Sequence, residues 1–253
     1  MSEIDATHSA LPDVRVVGLG APLRWLAAGW RDFRRHPLPS AFYGACFALM
    51  GFLIYIVFQH ASAYVSSLVT GFFLVGPFLC IGLYALSQRD ERGEPAWLAP
   101  TLDAWAPNKS AIGLFALVLA VILLVWARAS LVVFALFFTE DLPSLTDFTG
   151  QIFSMKNLEF LLVYLCVGGF FAALVFAISV VSVPMMLDRD TDGIVAVLTS
   201  LKTVAANGAA MVVWGLAIVA LVALGFATWF VGLVVAVPVV GHATWHAYRE
   251  LVV

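Results

Sequence analysis

From Thr203 to Tyr248 the chain carries no Asp, Glu, Lys or Arg. That is roughly twice the 20 or so apolar residues that one membrane helix needs, so the stretch reads as two spans joined by a tight turn near 226–232. The same yardstick finds earlier spans at 40–58, 63–87, 111–138 and 158–187, which makes six. Composition agrees. With 62% hydrophobic residues, 11% charged residues and a mean hydropathy of +0.99, the chain is too apolar for a water-soluble globule. The fold expected is all-α, a polytopic membrane helical bundle.

The first 38 residues carry Glu3, Asp5 and Asp13 and no apolar core, so they do not read as a cleaved signal peptide, and the first span serves as the targeting signal. Cys46, Cys80 and Cys166 all lie inside apolar runs, an odd number of scattered thiols that forms neither a disulfide framework nor a CxxC metal site. A formal net charge of -3 implies no nucleic-acid partner. Six crossings place Arg15, Arg24, Arg31, Arg34, Arg35, Arg89, Arg92, Lys109, Arg189, Lys202 and Arg249 on one side and Lys156 alone on the other. Both termini are therefore expected in the cytoplasm.

Three loop segments resemble one another: "WRDFRRHPLPSAF", "LDAWAPNKSAIGL" and "LKTVAANGAAMVV". Each leads through His36, Asn108 or Asn207 into a membrane span, and each following return span contains a proline: Pro77, Pro184 and Pro238. The pattern suggests three copies of a short amphipathic helix, an outgoing span and a returning span, at about 21–87, 95–187 and 192–250. Residues 1–20 then form a flexible cytoplasmic N-terminus ahead of a single membrane domain, 21–253.

The first amphipathic piece places Leu26, Trp30 and Phe33 on one face, with Pro22 in its first turn and Arg24, Arg31, Arg34 and Arg35 supplying positive charge. Such a helix lies in the membrane interface, where its arginines either bind anionic lipid headgroups or simply obey the positive-inside rule. Further along, "DRDTDG" at 188–193 begins like an EF-hand loop with Asp188, Asp190 and Asp192, but the closing glutamate position holds Thr199. Helix capping by Asp190, Thr191 or Asp192 explains the same residues.

Other candidates are sparse. Arg128 is the one basic residue inside a span; Glu159 can pair with it, and a structural anchor competes with a substrate or gating role. His242 and His246 share a helix face at a spacing that can hold a metal, but two ligands do not make a site, and with Trp245 and Tyr248 they read better as an interfacial belt. Pro77, Pro184 and Pro238 kink their helices, either as hinges or as static fits, beside the small residues Gly76, Ser182 and Gly241. Gly51, Gly71, Gly168 and Gly169 read as packing positions. No Walker motif, GxSxG or HExxH is present, so neither an enzyme nor a cofactor is expected.

The runs "LPDVRVVGLGAPLRWLAAGWRDFRRHPLPSAFYG", "LVGPFLCIGLYALSQRDERGE", "DRDTDGIVAVLTSLKTVAANGAAMVVW" and "GHATWHAYRELV" resemble a bacterial family of integral membrane proteins catalogued as a domain of unknown function. The resemblance runs from Leu11 to the end; it implies a bacterial inner-membrane protein and carries over no activity. Some relatives bear the label of terminal-oxidase subunit I, which these histidines do not support, because they lie at span ends or outside them. The expectation is a non-enzymatic scaffold or accessory subunit of a membrane complex, a respiratory one among the options, touching lipid through its basic helix. A transporter of small molecules or lipids built on three helix pairs is the alternative.

Overall fold

The computed structural model describes residues 11–60, 79–137 and 158–253. Among them the chain is helical, with one isolated antiparallel bridge between Val14 and Val252. Pro77, Gly71, Gly76, His8 and Lys156 lie outside the described residues.

Helix α1, Ala21–Arg35, has a proline in its first turn and Arg34 and Arg35 in its last, where positive charge complements the helix dipole. It stops at His36 because the following residue is Pro37, whose ring pushes its neighbour out of helical geometry; His36 sits at φ -124, ψ 58. Helix α2, Pro37–His60, then runs 24 residues, about 36 Å at 1.5 Å per residue, enough to cross a bilayer. Helix α3, residues 79–91, returns to the level of α1 and ends in a turn at Gly93, with φ +70.

Two 3-10 turns, Ala99–Thr101 and Ala106–Asn108, precede α4, Lys109–Phe137. They stand where the repeat pattern predicts an amphipathic helix. Pro100 and Pro107 lack the N–H groups that an α-helix there would need. The single span expected at 158–187 is divided into α5, Leu158–Ser179, and α6, Ser182–Asp188. Pro184 cannot donate to the carbonyl of Val180, and the helix breaks at 180–181.

Asp192 caps α7, Gly193–Ala206, by accepting from the Ile194 N–H at 3.2 Å, so the capping explanation of the acidic segment holds for that residue. Helices α8, Gly208–Ala227, and α9, Leu233–Leu251, are joined by the turn expected near 226–232, where Trp229 and Phe230 adopt positive φ. Pro238 lies inside α9.

Among the described residues, four stretches are long and apolar enough to cross a membrane: Pro37–Val57, Ala99–Phe137, Leu158–Asp188 and Gly208–Ala227. At most 28% of any of their most apolar windows is buried, and Leu117, Leu124, Leu165 and Leu216 are exposed. Apolar faces of that extent require lipid around them.

The described chain divides into two units. The described residues of the smaller, 117–176, belong to α4 and α5; there Phe160 is buried and meets Phe134 and Phe137 edge-on, both at 5.7 Å between ring centres. Gly168 and Gly169, expected as packing positions, have open space or only a 4.0 Å contact beside them.

The larger unit is knitted by close backbone approach of α9 to α1, α2 and α3. A Cβ on Gly29 would meet the Val239 carbonyl oxygen at 2.5 Å, one on Gly241 would meet Leu83 at 2.7 Å, and Gly44 faces the Val234 carbonyl. Gly51 similarly receives the Phe230 ring, in keeping with a packing role. Around these contacts Trp25, Tyr43, Leu83, Leu86, Trp214 and Trp245 are buried.

Gly29→Ala should lower the melting temperature in detergent, by the equivalent of about 1–3 kcal/mol of overpacking, because backbone atoms block the new methyl. Gly113→Ala, where nothing lies within 4 Å, should not lower it. Equal melting of the two variants would contradict the packing described.

Candidate functional site

A layer of polar and ionised groups lies at the end of the larger unit where both described termini meet. His242 and His246 stand one turn apart on α9. His242 is fully buried between two serines: Ser40 Oγ lies 2.9 Å from its Nε2, and Ser87 Oγ lies 2.7 Å from its Nδ1. Ser87 also donates to Asp32 Oδ2 at 2.7 Å, and His246 Nε2 reaches the same oxygen at 2.8 Å. Residues of α1, α2, α3 and α9 thus close one cluster around a buried carboxylate.

The protons can be assigned by elimination. An ionised Asp32 only accepts, so the Ser87 hydroxyl proton points to it. His242 must then donate to Ser87 through Nδ1–H, and its Nε2 accepts from Ser40. Although Ser, His and Asp are all present, their order is not that of a nucleophile relay, in which the carboxylate orients the histidine and the histidine takes the serine proton. Here the carboxylate holds the serine proton. The buried imidazole is satisfied by hydrogen bonds, and the expectation of an interfacial belt does not describe it.

Burial alone would raise the Asp32 carboxyl, but the hydrogen bond and charge of His246 and the hydrogen bond from Ser87 outweigh it and hold the pKa below its ordinary value. Asp90 follows the same logic. Its desolvation is overcome by His36 Nε2 at 2.8 Å and Arg35 at 2.9 Å, and its pKa is also lowered.

The rest of the layer is tied with similar density. Asp188 accepts from Tyr248 at 2.8 Å and Gln88 at 3.0 Å and pairs with Arg92 and Arg249, so its carboxylate is committed to cations of the chain itself. Asp190 and Asp192, its expected partners in a calcium loop, instead line a cavity of about 300 Å³ with Asn108, Ser110 and Thr191. Among the described residues no group of three or more His, Cys, Asp or Glu side chains is placed to hold a metal ion.

Asn108 donates to the carbonyls of Met186 and Thr191, both at 3.1 Å. Asn207 accepts from the Val17 N–H at 2.8 Å and donates to the Arg15 carbonyl. The N-terminal segment is consequently not free over 12–17: Lys202 reaches the Pro12 carbonyl, and Arg15 N–H donates to the Leu251 carbonyl at 2.8 Å.

These contacts aim α1. Its buried face is Ala21, Trp25, Ala28, Gly29 and Asp32, whereas Leu23 and Trp30 are 69% and 45% exposed, and Leu26 and Phe33 lie half-buried at the side. The stripe 26, 30 and 33 is therefore not the packed one. Of the four arginines, Arg24 pairs with Glu250 at 2.6 Å and Arg35 with Asp90; Arg31 and Arg34 make no ion pair among the described residues. Arg128 and Glu159 are both exposed, and no ion pair joins them.

The matching family fits this architecture. Residues 64–188 match the model of the DUF2189 family, described as predicted integral membrane protein. No curated protein and no solved structure matches the chain. The DUF2189 stretch contains Ser87, Asp90, Asn108 and Asp188, while Asp32, Ser40, His242 and His246 lie outside it. The chain is an integral membrane protein whose polar layer joins residues of the DUF2189-matching stretch to segments on both sides of it.

Sequence reasoning singled out His242, His246 and the arginines but missed Asp32, Ser40 and Ser87. The available signal was Asp32 in "GWRDFRR", a carboxylate in line with Trp25, Ala28 and Gly29.

Because the folded pKa of Asp32 is depressed, its contribution to stability is present above the ordinary carboxyl value of about 3.9 and is lost as pH falls through the lower folded value. Asp32→Asn should therefore melt lower at neutral pH and lose less on acidification than the parent. Parallel melting curves against pH for the two proteins would contradict this.

Proposed function

We propose that the protein is a non-enzymatic scaffold or accessory subunit of a membrane complex, spanning a bacterial inner membrane six times with both termini in the cytoplasm. The observation that carries this reading is the character of the polar layer. It is packed backbone against backbone, and among the described residues its buried side-chain donors and acceptors are hydrogen bonded, Trp214 Nε1 excepted. Such a layer orders helices without exposing a reactive group. What the chain offers outward is apolar helix surface and the basic side of α1.

Three local pairings support the crossing number. His36 meets Asp90, Asn108 meets Met186 and Thr191, and Asn207 meets Arg15, whose N–H pairs with Leu251. The chain between the two members of each pairing leaves the layer and returns, so it crosses an even number of times. With α2, α4, α5 and α8 as crossing helices, α2 and α8 each require a return to the layer, where α3 and α9 end. These pairings stand at His36, Asn108 and Asn207, the positions equated by the threefold repeat. The excess of Lys and Arg in this layer favours the cytoplasmic side.

The transporter reading has less support. It calls for a polar cavity near mid-membrane, whereas the cavity lined by Asn108 and Asp190 opens among loops at the helix ends. Extraction of the tagged protein at native level into nanodiscs, followed by mass spectrometry of all co-purifying species, tests the choice. Stoichiometric recovery with another membrane complex is expected. Recovery alone with a bound small molecule would reject the scaffold in favour of transport.

A further inference from the structure

We infer that Arg31 and Arg34, with Trp30 and Leu23 between and beside them, form a binding site for the phosphate group of an anionic phospholipid on the outward face of α1. This deepens the membrane reading above and rests on it.

At about 100° per residue, Leu23, Trp30 and Arg34 fall within roughly 40° of one another on the side opposite Asp32, with Leu26 and Phe33 on one flank and Arg31, Arg24 and Arg35 on the other. The helix therefore has three sides. One is buried against the bundle, one is apolar and one is basic. An amphipathic helix fixed in this attitude beside membrane spans presents its apolar flank to acyl chains and its basic flank to headgroups.

Ion pairing then divides the four arginines that the sequence leaves equivalent. Arg24 is held by Glu250 and Arg35 by Asp90, which neutralise them and fix their guanidinium groups to α9 and α3. Arg31 and Arg34 are exposed and make no such pair among the described residues. Two unneutralised guanidinium groups three residues apart lie on adjacent positions of one helix surface and match a phosphate in charge and donor geometry. Beside them the Trp30 ring, stacked on Phe33 at 5.6 Å and 22° between planes, gives a flat amphipathic surface suited to the headgroup boundary. Charge complementarity selects an anionic lipid over a zwitterionic one.

The test uses the full chain in nanodiscs made from equal parts of phosphatidylglycerol and phosphatidylcholine, with retained lipid counted by native mass spectrometry. Two double variants are compared. Arg31→Gln with Arg34→Gln should reduce the preference for phosphatidylglycerol about twenty-five-fold, at roughly a factor of five for each arginine, with little change in melting temperature. Arg24→Gln with Arg35→Gln should lower the melting temperature and leave most of that preference intact. Equal loss from both doubles, or no loss from the first, overturns the site. Displacement of the retained lipid by inorganic phosphate would also overturn it, by showing that the arginines take a free anion. None of these outcomes depends on whether another membrane complex co-purifies, so failure of the lipid site and failure of the scaffold reading remain separate.

Discussion

A carboxylate removed from water persists as an anion only if the protein supplies the hydrogen bonds and charge that water supplied. Asp32 imposes that requirement on the whole polar layer. Its donors come from Ser87 on α3 and His246 on α9, and Ser87 in turn fixes the tautomer of His242, which draws in Ser40 from α2. Shifting any one of these helices along its axis by a turn would leave a buried polar group without a partner. The apolar contacts around Gly29 and Gly241 tolerate close approach, but the directional bonds select one register among the possible close packings.

That constraint explains why α1 departs from the behaviour its composition suggests. A free basic amphipathic helix would turn its most apolar stripe toward the bilayer and its arginines toward water. In this chain the small residues Ala21, Ala28 and Gly29 allow the helix to approach α9, and Trp25 fills the space beside them. Asp32 completes the buried face. Leu23 and Trp30 are left outside because the contact surface is chosen by fit and hydrogen bonding, not by hydrophobicity alone.

The boundaries of spans were the most legible part of the sequence, since lipid tolerates no charge over long stretches and the prolines mark their breaks. Span 111–138 is α4 to within a few residues, the turn at 226–232 is present, and Pro184 interrupts its helix. The buried cluster was much less legible. Its members are separated by up to 214 positions, as in the bond between Asp32 and His246, and each taken singly has an ordinary alternative: a serine in an apolar helix, an aspartate among arginines. Spacing reveals which residues share a helix face, and therefore paired His242 with His246. It does not reveal which helix that face meets. The division of the four arginines into paired and unpaired sets was hidden for the same reason, because Glu250 and Asp90 come from distant segments.

The three junction residues show how similar placements acquire different chemistry. Asn108 and Asn207 join their partners through amide bonds to backbone carbonyls and an N–H, which are indifferent to pH. His36 stands at the corresponding bend but meets the carboxylate of Asp90. The ionisable groups thus gather where α1, α3 and α9 meet: Asp32, His36, Asp90, His242 and His246. If the three proposed copies arose from one unit, the junctions at Asn108 and Asn207 serve connection alone, and the first junction has added electrostatics to the same mechanical task. The helix so fixed is α1, an amphipathic helix that carries a row of arginines, and its rigid attachment is what leaves Arg31 and Arg34 facing outward without an ion pair among the described residues.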